Sequence, residues 1–328
     1  MVEQTNHPIG GRDYPRTVQE FDEWFATEEK CAAYLAQLRW PDGFVCPGCG
    51  GKKQWLTARQ QMRCAGCQRQ TSVTAGTIFE GTRKPLRVWF QAVWYVMSQK
   101  FGGNAMGLQR VLGLGSYQTA WSWLHKMRRA MVRPGRDHLS GRVEVDETYV
   151  GGEEEGVAGR YTQKKAIVVV AIEVHEPRGF GRIRLRHVRD VSGDSLLGFI
   201  HDVVAPGSAI LTDGWKSYDG LHGTAYPHEK IVLSASGDPA HVALPGVHRV
   251  AALLKRWLLG THQGAVSNKH LDYYLDEYTF RFNRRNSKSR GLLFYRLLQQ
   301  AVALPPVTSR ELVGGRPLTN SRPATASG

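Results

Sequence analysis

Apolar residues recur at helical spacing between Thr17 and Trp40 (Cys31, Tyr34, Leu35, Leu38), with Glu20, Asp22 and Glu23 early and Pro41 as a stop. The pattern predicts a helical segment within residues 1–40, loose before 17, with Cys31 a buried core thiol. Residues 86–100, after the Lys84-Pro85 break, read as an amphipathic or buried helix in which Trp89, Trp94 and Tyr95 serve the core. Gly103 to Leu114 reads as a short helix. A glycine turn and a second helix, opening on Ser116, Tyr117, Gln118 and Thr119, follow it. That order fits a helix-turn-helix within 85–133, with those four residues facing a major groove and Lys126, Arg128 and Arg129 available to phosphates. Any helical hairpin produces the same pattern. Pro134 to Asp137 reads as a linker.

From Arg142 the period changes from helical to alternating. Residues 142–150 place Val143, Val145 and Glu147 on one face of a strand and Glu144, Asp146 and Thr148 on the other. Strands at 165–174 and 182–190, a helix at 193–204 and a short strand at 209–212 ending at Asp213 come next, then mostly helices. This order predicts a mixed α/β layer rather than a doubly wound sheet. Residues 304–328, rich in Pro, Gly, Ser and Thr, read as a disordered tail. The longest apolar run, Ala166 to Ile172, is strand-length, well short of the ~20 residues that span a bilayer. With no charged-then-apolar leader pattern at the start, a cytoplasmic protein is expected.

Charge sharpens this picture. The 328 residues carry 43 Lys+Arg against 29 Asp+Glu, a net +14, with 41% hydrophobic residues, enough for a real core. Between Phe44 and Arg136 stand fifteen basic residues and one acid, Glu80, so this stretch holds the whole excess. A one-sign block points to a polyanion, most commonly nucleic acid; a solubilising face is the alternative.

Four of the five cysteines form Cys46-Pro47-Gly48-Cys49 and Cys64-Ala65-Gly66-Cys67, with 14 residues between the pairs. Each pair suits a tight turn aiming two thiolates at one ion, and a hairpin-length spacer sets the pairs face to face. The expectation is a structural four-cysteine zinc ribbon over 41–72.

Asp146 sits mid-strand among valines, an expensive place for an unused charge. Asp213 closes another strand ahead of Gly214. If the strands are neighbours, the two carboxylates gather and invite magnesium or manganese; a turn cap or a surface ion pair is the alternative for either one.

Asp146-Glu147-Thr148-Tyr149-Val150-Gly151-Gly152, Thr212-Asp213-Gly214-Trp215-Lys216-Ser217-Tyr218 and Leu254-Lys255-Arg256-Trp257 through Gly264 resemble bacterial insertion-sequence transposases with an N-terminal zinc ribbon and an RNase H-like catalytic domain of the acidic-triad (DDE) type. The resemblance extends through Phe280-Arg281-Phe282-Asn283 and covers roughly residues 20–300. It implies an RNase H-like domain over 141–300, with Asp146 and Asp213 as the first two triad carboxylates holding Mg2+ or Mn2+. It also implies cleavage of terminal inverted repeats, strand transfer to target DNA, and a homo-oligomer on double-stranded DNA in a bacterial, nucleoid-associated setting.

The third position departs from the family pattern, which has Glu or Asn there. His248, 35 positions after Asp213, is the best candidate; Asp238 and Glu277 are weaker ones. Lys255, two turns further on, is expected to hold a phosphate. Arg281, Arg284, Arg285, Lys288 and Arg290 form a second basic cluster that could grip DNA or simply end a helix. The missing carboxylate keeps open a non-catalytic DNA-binding protein, either a decayed transposase or a regulator; an RNA-processing nuclease on the same fold is a third reading.

Overall fold

The computed structural model describes residues 7–133, 135–152, 164–175, 177, 179–231 and 243–316, and the chain forms two compact units.

The first unit runs to Met131 and includes Ser287–Val313. Its helices are α1 (Val18–Trp24), α2 (Glu28–Arg39), α3 (Leu86–Ser98), α4 (Ala105–Leu112), α5 (Tyr117–Ala130), and, from the far end of the chain, α9 (Arg290–Ala303) and α10 (Ser309–Gly314). The helical stretch from 17 to 40 divides in two because Thr27 caps a new start, its hydroxyl accepting the Lys30 N–H. A three-stranded antiparallel ribbon, β1 (Gln54–Leu56), β2 (Met62–Cys64) and β3 (Gln70–Thr71), lies between α2 and α3 in sequence. α9 packs against α2, α3 and α5. It brings Phe294 into an aromatic cluster with Phe21, Phe25, Tyr34, Phe90 and Trp94. Trp89 stacks on Trp123 at 3.7 Å, so the tryptophans of α3 are core residues as the pattern predicts.

The second unit comprises Val132–Asn286 and the chain from Gly314 on. Its five-stranded sheet contains β4 (Arg142–Val150), β5 (Ala166–Val174), β6 (Phe180–Val188), β7 (Ala209–Thr212) and β8 (His228–Lys230), in the order β6-β5-β4-β7-β8. The first three strands form an antiparallel meander, and β7 and β8 add in parallel. α6 (Gly193–Val203) covers one face, burying Leu196, Phe199 and Ile200 against Val143, Val145 and Val169. α7 (Pro245–His262) and α8 (Leu271–Phe282) cover the other, burying Val250, Leu254 and Leu275 against Val168, Val170 and Ile183. This is a mixed α/β fold with RNase H-like strand order.

Two boundaries differ from the sequence reading. Most of α9 falls within 141–300 yet belongs to the first unit, because its Phe294 and Leu297 complete that core. Residues 304–316 of the expected disordered tail are ordered. Thr308 and Glu311 cap α10 reciprocally, Leu312 is buried, and Arg316 pairs with Asp276 of α8. Residues 317–328 lie outside the described part. Among the described residues no helix is long and apolar enough to cross a membrane.

Candidate active site, zinc centre and nucleic-acid interface

Parallel pairing of β4 with β7 sets Glu144 opposite Leu211, and two residues further along the two strands stand Asp146 and Asp213. Asp213 follows the last residue of β7, and Gly214, at φ 53°, turns the chain away immediately; the Trp215 N–H donates to Asp213 Oδ1 at 3.1 Å. α7 crosses β4 on the same face as Asp146. It brings His248 Nε2 to 3.8 Å from Asp146 Oδ2. A cleft of about 230 Å³ is lined by Asp146, Glu147, Thr148, Val247, His248 and Lys255, among others. Asp213 is not part of its wall.

The alternation along β4 places Glu147 away from Asp146, yet Glu147 reaches the same cleft. Its carboxylate accepts a hydrogen bond from the Tyr218 hydroxyl at 3.2 Å, and Tyr218 stands on the 3-10 turn Lys216–Leu221 that follows Asp213. Burial, and then the negative charges of Glu147, Asp146 and Asp213, push the Tyr218 phenol well above its ordinary pKa. Those three carboxylates therefore act on one buried point. Tyr218 has no role in the sequence reading. The signal was its place in the Asp213 motif, where a tyrosine can reach back to the first strand.

Glu144 shares a face with Asp146 and is buried; burial raises its carboxyl pKa although the Val247 and Gly246 N–H groups pull the other way. Glu277 is wholly buried, accepts from Arg281 Nε at 2.9 Å in an internal ion pair, and does not line the cleft. Asp238 lies outside the described residues. In the Arg281-Arg284-Arg285 cluster two further guanidinium groups make internal contacts. Arg284 lies 3.9 Å over the Phe280 ring, and Arg285 donates to the carbonyls of Phe180, Gly181 and Phe282.

Asp146, Asp213 and His248 supply two carboxylates and an imidazole. They are more widely spread than the cysteines, which among the described residues form the one set of three or more such donors within 4.8 Å of one another. The donor types, two carboxylates and an imidazole, are ones that manganese or magnesium accepts, with the imidazole favouring manganese.

The ribbon is compact. Cys46 Sγ stands 3.5 Å from Cys67 Sγ and Cys49 Sγ 3.6 Å from Cys64 Sγ, close to the ~3.8 Å edges of a tetrahedron with ~2.3 Å zinc–sulfur bonds. The Gly48 N–H, donating to Cys46 Sγ, draws that thiol down to about 6, whereas Cys49, despite the Gly51 N–H, is pushed up to about 12 by the three other cysteines. The four cysteines form a structural zinc site, and Cys31 is the free buried thiol expected of it.

α4 and α5 form the expected hairpin, turned by Gly113 in the left-handed region. Ser116 caps α5, its hydroxyl accepting the Thr119 N–H and meeting the Thr119 hydroxyl at 3.0 Å. Tyr117 and Gln118 are left exposed on the first turn. The expected phosphate contacts need correction. Ala120, Trp123, Leu124, Met127 and Arg128 fall at i, i+3, i+4, i+7 and i+8, the inward stripe of α5, and Arg128 is only 1% exposed. Lys126 is half-buried, donating to the Ile78 carbonyl at 3.2 Å over the Trp89 ring. Arg129 is partly exposed, and its charge adds to the Thr308 N–H and hydroxyl in lowering the Glu311 carboxyl pKa.

Residues 138–283 match the family model of the ISXO2-like transposase domain, and residues 26–70 that of the transposase zinc-ribbon domain. A protein in transposable element ISH50 of Halobacterium salinarum is 30% identical over 281 residues, covering 78% of this chain and 91% of that protein. A transposase-like protein of Haemophilus influenzae is 29% identical over 112 residues, 34% of this chain and 89% of its own length. A solved simian T-cell lymphotropic virus intasome chain aligns over 72% of this chain and 80% of its own, at 14% identity and a TM-score of 0.31, too low to weigh on the fold.

Proposed function

We propose that this chain, which belongs to the ISXO2-like transposase family, is a DNA transposase that cuts insertion-sequence ends and joins them to target DNA in a metal-dependent reaction. One observation carries the reading: packing of α7 on β4 sets His248 beside Asp146, with Lys255 in the same cleft. In this reading Asp146, Asp213 and His248 hold Mg2+ or Mn2+. Bound there, the ions supply activation of water or a DNA 3′-hydroxyl and charge stabilisation of the leaving oxygen. Lys255, seven residues after His248 on α7, grips a phosphate of the DNA end as a point charge. Tyr218 holds Glu147 and keeps the turn after Asp213 against β4. Tyr117 and Gln118 read bases of the terminal inverted repeats, Ser116 and Thr119 shape that helix start, and Arg129 meets the backbone. A homo-oligomer on DNA, in a bacterial cytoplasm, pairs the two ends.

The reading is tested by Mn2+- or Mg2+-dependent nicking of DNA carrying the element's terminal repeats, abolished in Asp146→Asn and Asp213→Asn. The imidazole at the third position favours a second reading, a DNA-binding protein without cleavage. That reading predicts end binding that weakens steeply with salt and no nicking with either metal.

A further inference from the structure

We propose that Glu144 is a positioning residue for the candidate metal site, its buried carboxylate fixing the first turn of α7 and thereby the place of His248 against Asp146. This rests on the reading that Asp146 and His248 share a metal site.

α7 begins without a cap of its own. Leu244 offers no side-chain acceptor, Pro245 at the first turn has no N–H, and the His248 N–H is satisfied by the Leu244 carbonyl at 3.3 Å. The N–H groups of Gly246 and Val247 remain. Glu144, on β4, accepts the Val247 N–H on Oε2 at 3.0 Å, and the neighbouring Gly246 N–H also favours its ionised form. A negative side chain also suits the positive end of an 18-residue helix.

The seat is tight. A Cβ on Gly246 would lie 2.7 Å from Glu144 Oε2, 2.8 Å from Phe180 Cε1 and 3.0 Å from Ile172 Cγ2, so the helix end approaches the sheet as closely as glycine permits. The residue that follows this anchored pair is His248. On the strand, Asp146 stands two residues beyond Glu144 on the same face. One carboxylate therefore ties together the two backbones whose side chains meet at 3.8 Å. A buried carboxylate beside Ile172 and Val247 is costly as core packing, and an apolar residue there would orphan the buried Val247 N–H.

The test measures Mn2+ binding by electron paramagnetic resonance, together with nicking and thermal unfolding, in the full chain and in Glu144→Ala, Glu144→Gln, Gly246→Ala, Val143→Ala and Asp146→Asn. Val143→Ala removes core volume from the same strand on the opposite face. Glu144→Ala is expected to weaken Mn2+ about tenfold or more, in the range of lost orienting contacts to metal ligands. Glu144→Gln, which keeps an acceptor oxygen, recovers most of that loss. Gly246→Ala reproduces it with the carboxylate intact, and serves if Glu144→Ala does not fold. Val143→Ala lowers the melting temperature yet binds Mn2+ as the parent does. Parent-like Mn2+ binding by Glu144→Ala and Gly246→Ala, no recovery in Glu144→Gln, or an equal loss in Val143→Ala overturns the proposal. Asp146→Asn separates the failures: if it binds Mn2+ like the parent, the metal site itself is wrong, and Glu144 has nothing to position.

Discussion

His248 Nε2 stands 3.8 Å from Asp146 Oδ2, on a helix and a strand more than a hundred residues apart in sequence. An imidazole so placed can share a metal with the carboxylate, and it ranks manganese above magnesium. His248→Ala is expected to lower metal-supported nicking by about 10- to 100-fold. His248→Glu is expected to shift the preference toward Mg2+. Metal titrations of nicking check both; a His248→Ala chain with the parent's metal requirement removes the histidine from the site.

The Tyr218 hydroxyl is bound to Glu147 at 3.2 Å in a buried setting. Tyr218→Phe keeps the ring and loses one hydrogen bond, so the unfolding free energy should fall by about 1 kcal/mol. Denaturant unfolding of the two proteins measures it, and identical midpoints with identical slopes refute the role given to the hydroxyl.

On α5 the partly exposed Arg129 and the inward Arg128 should separate cleanly. Arg129→Ala lowers the slope of log affinity against log salt by about one, as loss of a phosphate contact does. Arg128→Ala instead lowers the melting temperature, because it empties a buried position. Tyr117→Ala or Gln118→Ala costs roughly 1–3 kcal/mol of discrimination between the terminal repeat and unrelated duplex. Competition binding at several salt concentrations gives all these quantities.

Glu173 provides a pH signature in the second unit. Burial opposes its ionisation, but the Arg182 side chain and the Arg182 and Ser140 N–H groups outweigh it and hold the carboxyl below its usual range. A depressed folded pKa contributes stability that is full above the unfolded value of about 4.3 and is lost as pH falls through the lower folded value. Glu173→Gln should therefore be destabilised at pH 7 by about 2 kcal/mol, a figure held low because Arg182 is a third exposed. The gap closes below about pH 4. Thermal melts across pH 3–8 follow the effect; a constant gap over that range contradicts it.

Much of this was legible in the chain because it rests on local rules. The alternation over 142–150 assigns the faces of Glu144 and Asp146, and two C-x-x-C turns give the ribbon. What was not legible depends on tertiary partners. Arg128 reads as a phosphate contact until the inward stripe of α5 is counted against a core it must fill. Phe294 joins the first unit across a long sequence gap that no local pattern reveals. The Thr308–Glu311 capping box was present within the expected tail, but its composition outweighed one short signal. Tyr218 and Glu147 meet only because β7 lies beside β4.

The central claim is that Asp146, Asp213 and His248 form a metal-dependent strand-transfer site. Its most direct test is the purified chain incubated with DNA carrying the element's two ends and with a target plasmid, in Mn2+ or Mg2+, with joined products resolved by size. The account predicts nicked and joined products from the parent chain and none from Asp146→Asn or Asp213→Asn, although both variants still bind the ends. Joined products from either variant, or end binding by the parent with no cleavage in either metal, contradict it.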